Sequence, residues 1–165
     1  MAYFTKQEAY DSARKAKLST ETYSNKLESI VESQKYQYRF DIFLSHSVKD
    51  AELVLGVVRI LEDMGQKVYV DWVVDQQLSR NSVTKETAET LRNRMKQSSK
   101  LLYLATDNAS SSKWMPWELG YFDGLRSGNV AILPLVEYSF SSFKGQEYLS
   151  LYPALDKDDL RGFLR

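Results

Sequence analysis

From Tyr38 onward the chain alternates short apolar runs with amphipathic stretches, and this alternation constrains the fold more than any other feature. Residues 40–44, 68–72, 101–105 and 130–136 have the length and apolar character of buried strands. Between them lie segments with helical period. Residues 50–64 place Leu53, Val57, Ile60, Leu61 and Met64 on one face and close at Gly65, a C-cap candidate. Residues 84–97 turn Ala88, Leu91 and Met95 inward, and residues 116–126 read as a third helix. Strands joined by helices of this length need crossovers, which predicts an α/β fold with a mainly parallel sheet. In the tail, residues 148–151 can add an edge strand and residues 156–164 a short closing helix.

The first 36 residues differ in texture: polar, free of Gly and Pro, and compatible with helix. Thr5 and Glu8 form a T-x-x-E capping-box pattern. Tyr23, Leu27, Ile30 and Val31 make one apolar stripe, so two short helices are expected with a break near Ser19 and Thr20. The expected organisation is an N-terminal helical extension, residues 1–36, packed on the main domain or used for self-association, ahead of a domain spanning 37–165.

Composition removes several functions. Hydrophobic residues are 43% and charged residues 27% of the 165, a globular balance. Lys and Arg total 22 and Asp and Glu total 22, which leaves no basic excess for nucleic acid. With no cysteine and the single histidine His46, disulfides, thiolate metal sites, a cysteine nucleophile and histidine-rich metal sites are excluded, and no metal is expected. The N-terminus turns polar at once, and no run approaches the roughly 18 apolar residues of a membrane helix. A soluble cytoplasmic protein without a membrane partner is expected.

Three clusters can carry chemistry. The first is Trp114-Met-Pro-Trp-Glu118, after the third strand run. Pro116 suits the first helical position, which would put Glu118 in the first turn, where the helix dipole favours a carboxylate. Glu118 is then either a catalyst or a complement to that dipole; Met115, three residues earlier, has no oxygen for a capping box. Trp114 and Trp117 can equally be packing aromatics. The second cluster, Ser45-His46-Ser47, sits where small hydroxyls and backbone N–H groups of α/β sheets meet phosphate or ribose, although Ser47 and Asp50 also suit helix caps. The third is Asp71, able to hold a ribose hydroxyl, and Trp72, able to stack on a base, with Arg80 in the loop that follows. No glycine-rich loop follows the first strand and no G-x-S-x-G elbow occurs, against dehydrogenase, P-loop and serine-hydrolase readings.

Taken in order, residues 40–47, 68–71, 98–105 and Trp114-x-x-x-Glu118 resemble the Toll/interleukin-1 receptor (TIR) domain in its bacterial form, over about residues 38–140. The resemblance implies a flavodoxin-like fold with a five-stranded parallel sheet. Many bacterial and plant members cleave NAD+ at the nicotinamide–ribose bond, and some cyclise the product. It places the catalytic glutamate on Glu118 and the family tryptophan on Trp114. It makes residues 72–83 the loop that covers substrate and mediates assembly. NAD+ is then a substrate, with no cofactor. Self-association, association with other TIR domains, and a downstream effector reached through a nucleotide signal are the implied partners. Similarity to TIR sensors of Thoeris anti-phage systems suggests a cyclic ADP-ribose-type product. Two other readings stand beside this one: a TIR scaffold without catalysis, and a nucleoside deoxyribosyltransferase-like enzyme of similar fold.

Overall fold

The first helix starts where its local chemistry says it must. In the structure, a computed structural model that describes residues 2–72 and 84–165, Thr5 caps α1 (Lys6–Ala16). Its hydroxyl accepts the Glu8 N–H, and the Glu8 carboxylate accepts the Thr5 N–H at 2.8 Å, completing the capping box. Glu8 also meets Lys157 Nζ at 2.5 Å, tying this helix start to the end of the chain. The break expected near residues 19–20 separates α1 from α2 (Tyr23–Gln34), which Thr22 caps.

The sheet is all parallel. Its strands are β1 (Phe4–Thr5), β2 (Phe40–Ser45), β3 (Val68–Val70), β4 (Ser98–Ala105) and β5 (Val130–Val136), in spatial order β1-β5-β4-β2-β3. The crossovers are α3 (Ala51–Asp63), α4 (Lys85–Lys96, capped by Thr84) and α5 (Trp114–Leu125), and α6 (Lys157–Phe163) follows later. Helix α3 ends as its glycine predicts: Gly65 takes φ +82°, its N–H reaches the Glu62 carbonyl, and the Gln66 N–H reaches Leu61. These two bonds form a Schellman motif.

Both sheet faces are covered, as a parallel sheet requires. Ile42, Leu44, Val70, Leu102, Leu104 and Leu133 pack one way, with Leu27 of α2, Ala9 and Ala13 of α1, Val54 and Leu61 of α3 and Leu160 of α6. Phe43, Tyr69, Leu101, Tyr103 and Ile132 pack the other way against Leu91 and Met95 of α4 and Met115, Leu119 and Phe122 of α5.

One strand expectation is overturned. Residues 148–151 form no edge strand; Glu147–Leu151 is a 3₁₀ turn that buries Leu149. The edge of β5 is already taken, by β1 pairing at Leu135 and Val136 and by a bridge from Ala154 to Ile132. The other strand runs are strands, with β4 starting three residues earlier than expected and β3 ending two residues sooner.

The first 36 residues therefore contribute to the sheet as well as to its cover. Besides β1, they supply Gln34, a 4% exposed side chain whose amide accepts the Val70 N–H at 2.9 Å and donates to the Val70 carbonyl at 3.3 Å. Helix α1 lies so close on α3 that a Cβ on Gly56 would stand 1.9 Å from the Ala9 carbonyl oxygen.

Two outcomes follow from this packing. Gly56→Ala should destabilise by about 1–3 kcal/mol or more, because backbone blocks the added methyl. Gly120→Ala, a helical position with nothing within 4 Å, should be neutral or stabilise by up to about 1 kcal/mol; denaturant unfolding of both measures the contrast. The second outcome concerns acid. Burial raises the Glu8 pKa, but Lys157 and the Thr5 N–H outweigh it and hold the carboxyl below its usual 4.5. A depressed carboxyl stabilises the fold above that value and ceases to as pH falls through the folded value. Glu8→Gln should thus lower stability near neutrality and flatten its acid decline, read from unfolding midpoints between about pH 3 and pH 7.

Candidate functional site

Side chains alternate along β2, so Ser45 faces the same way as Phe43, toward α5. Ser45 also pairs in register with Tyr103 of β4. These two neighbours form a floor at the carboxyl end of the sheet, and Glu118 of α5 comes down on it. Ser45 Oγ donates to Glu118 Oε1 at 2.7 Å, joining residues 73 apart in sequence, with Ser45 1% and Glu118 4% exposed. The Tyr103 hydroxyl lies 3.4 Å from that of Tyr148. Burial, then this contact and the charge of Glu118, push the Tyr103 phenol well above its ordinary range.

Helix α5 does not open at Pro116. It starts two residues earlier, at Trp114, because Ser112 Oγ accepts the Met115 N–H at 3.2 Å and caps the turn before the proline. Pro116 is the third helical residue, where its missing N–H costs nothing because first-turn N–H groups have no intrahelical acceptor. Met115 is therefore helical, and Glu118, the fifth residue, lies in the second turn instead of the first.

Trp114 shares the buried face of α5 with Glu118, as residues four apart must. It is 7% exposed and meets Trp117 edge-on at 5.4 Å. Trp117 in turn stacks on Tyr121 at 5.7 Å, and the Arg92 guanidinium covers both rings. In this arrangement Trp114 packs the helix that carries Glu118.

Of the remaining candidates, His46 and Trp72 meet each other near the ends of β2 and β3. His46 Nδ1 lies 3.1 Å from the Ser47 carbonyl, and its ring stacks on Trp72 with centroids 5.8 Å apart and planes 25° apart. Asp71 and Trp72 follow β3 and are 4% and 1% exposed. Arg80 and the rest of residues 73–83 lie outside the described residues.

Of the two expected caps after β2, Ser47 accepts the Lys49 N–H at 3.3 Å, but Asp50 makes no cap. The Asp50 carboxylate instead accepts from Thr106 Oγ1 at 2.5 Å and Asn108 Nδ2 at 2.7 Å, clamping the turn after β2 to the turn after β4. Sequence reasoning missed this clamp and the place of Tyr103. A phenol inside the otherwise aliphatic run 101–105 was the only local signal for the second.

A cavity of about 610 Å³ lies nearby, between the ends of β4 and β5, lined among others by Lys6, Thr106, Asp107, Glu137 and Phe143. None of the described sequence-predicted residues lines it. Lys6 Nζ sits 2.7 Å from Asp107 and 2.8 Å from Glu137, bridging the two carboxylates at its wall.

Known proteins are similar to this chain in sequence. The chain is 51% identical over 119 residues, 72% of its length and 61% of the relative's, to a Bacillus cereus (strain MSX-D12) protein named "Probable 3' cyclic ADP-D-ribose synthase ThsB'". It is 32% identical over 94 residues, 55% of its length and 25% of the relative's, to a Cytobacillus dafuensis protein named "Putative cyclic ADP-D-ribose synthase TIR2". The chain thus spans less than two thirds of the length of either. The family model for the TIR domain matches residues 42–163, which hold β2 to β5, Ser45, Glu118 and the closing helix, and the chain belongs to the TIR domain family.

Proposed function

We propose that the protein cleaves the nicotinamide–ribose bond of NAD+ and releases a cyclic ADP-ribose-type signal, with Glu118 as the catalytic carboxylate. The observation that carries this reading is the buried, hydrogen-bonded Glu118. A glutamate that merely complemented a helix dipole would sit in the first turn and in water. Taking a carboxylate out of water costs several kcal/mol, so a buried one is placed at a cost to the fold. Such a cost is commonly met at a reacting centre. The names of the two relatives point to the same chemistry.

Nicotinamide leaves as a neutral molecule, so the step needs no general acid. What develops is an oxocarbenium-like ribosyl cation, as in glycoside cleavage. An ionised Glu118 beside that cation stabilises it most where water is excluded, and Glu118 and Ser45 are both buried, 4% and 1% exposed. If a nucleophile from the adenosine end of the same molecule captures the cation before water does, and gives up its proton to solvent, the product is cyclic. His46, Asp71, Trp72, Trp114 and Arg80 are the residues proposed to bind or wall in the substrate. NAD+ is the substrate, and no cofactor is invoked. Self-association with other TIR domains, and an effector that reads the nucleotide signal in anti-phage defence, complete the proposal. Among the described residues no helix is long and apolar enough to cross a membrane, which agrees with action in the cytoplasm.

The test is NAD+ consumption by the purified protein, with and without phage-infected lysate, beside Glu118→Gln. The wild type should release nicotinamide and a product lighter than ADP-ribose by one water. The variant should fold and lose at least roughly two orders of magnitude in turnover. No turnover by a folded wild type in any condition would favour the non-catalytic scaffold, and cleavage of deoxynucleosides instead of NAD+ would favour the transferase.

A further inference from the structure

We infer that Ser45 is a positioning residue for Glu118 and not a contact to substrate; the inference rests on the proposed catalytic role of Glu118. A glutamate has three side-chain torsions, and a carboxylate that acts electrostatically on a developing charge must be held in place for its effect to be realised. Packing alone fixes the stem but leaves the terminal torsion broad. Ser45 supplies a directional constraint on that torsion. Its donor lies on the last residue of β2, a strand paired on both sides through Leu44 and at Ser45 with Tyr103 of β4, so its main chain is anchored by the sheet.

Three observations separate this role from ribose or phosphate binding. The Ser45 side chain faces the α5 side of the sheet, where it is enclosed at 1% exposure. Its hydroxyl donates its one proton to Glu118 Oε1 at a distance typical of a charge-assisted bond. Its strand neighbour Tyr103, the other polar tip on this floor, is engaged by Tyr148, so Ser45 is the floor residue that grips the carboxylate. A serine used in this way leaves substrate affinity alone and acts on the rate.

The experiment compares wild type, Ser45→Ala, Ser45→Thr and Glu118→Gln in NAD+ turnover, with each fold checked by circular dichroism and thermal unfolding. Ser45→Ala should lower kcat roughly 10- to 100-fold, the worth of one hydrogen bond to a charged group, and leave KM within about twofold. Ser45→Thr, which keeps the hydroxyl, should recover most of the lost kcat. Should the alanine variant not fold, Ser45→Cys fills the space with a poor donor and should show the same split. A rise in KM at constant kcat would overturn the inference and make Ser45 a substrate contact. Unchanged kinetics, or equal losses in folded Ala and Thr variants, would overturn it as well. Full activity in Glu118→Gln would instead overturn the catalytic role on which the inference rests, whatever the serine variants do.

Discussion

Main-chain N–H and C=O groups at the rims of a parallel sheet need partners, and much of this structure is arranged around that need. Crossovers bury both faces of such a sheet but leave two edges. At β5, the segment Phe4–Thr5 and the bridge at Ala154 pair with the exposed edge. At β3, Gln34 turns its amide onto the Val70 peptide and serves as one residue of a further strand. The residues before the family-matched region thus act at both rims. Helix α1, which follows β1, lies against α3, and only glycine fits at position 56. Lys6 then reaches the turns after β4 and β5.

This arrangement also explains what local sequence could and could not announce. The capping box at Thr5 and Glu8, the Schellman glycine at 65 and the long strand runs were legible, since each is decided within about five residues. A two-residue strand such as β1 has no period to detect, and its existence depends on Val136, far along the chain. Residues 148–151 carry strand-like composition, but the edge they would have joined is occupied, so tertiary pairing overrides propensity. Pro116 misled by two residues because the capping oxygen comes from Ser112, three residues before the expected cap position at Met115.

The candidate site shows the same division. Glu118 and Trp114 were legible as a pair from the four-residue spacing and the family resemblance, although Trp114 was expected to lie ahead of the helix that in fact begins with it. Ser45 was legible as a residue of the site, yet its partner was not, for nothing near position 45 indicates a carboxylate at position 118. Asp50 is the sharper case: its sequence context is that of a cap, and its carboxylate serves a turn more than fifty residues away. Buried polar side chains are satisfied by whatever the fold brings to them, and one strand of sequence does not display that.

Strand order reverses between β2 and β4, the place where open α/β sheets usually hold ligands at their carboxyl ends. Here two polar links border that point. Asp50, at the head of α3, ties the turn after β2 to the turn after β4, while Ser45 joins the end of β2 to α5. Each link crosses from one main-chain segment to another, so the two central strands and both flanking helix starts are held as one body. A carboxylate seated on such a base keeps its orientation without help from substrate. In the proposed reaction, preorganisation of this kind would let Glu118 act on the developing charge without reorganising.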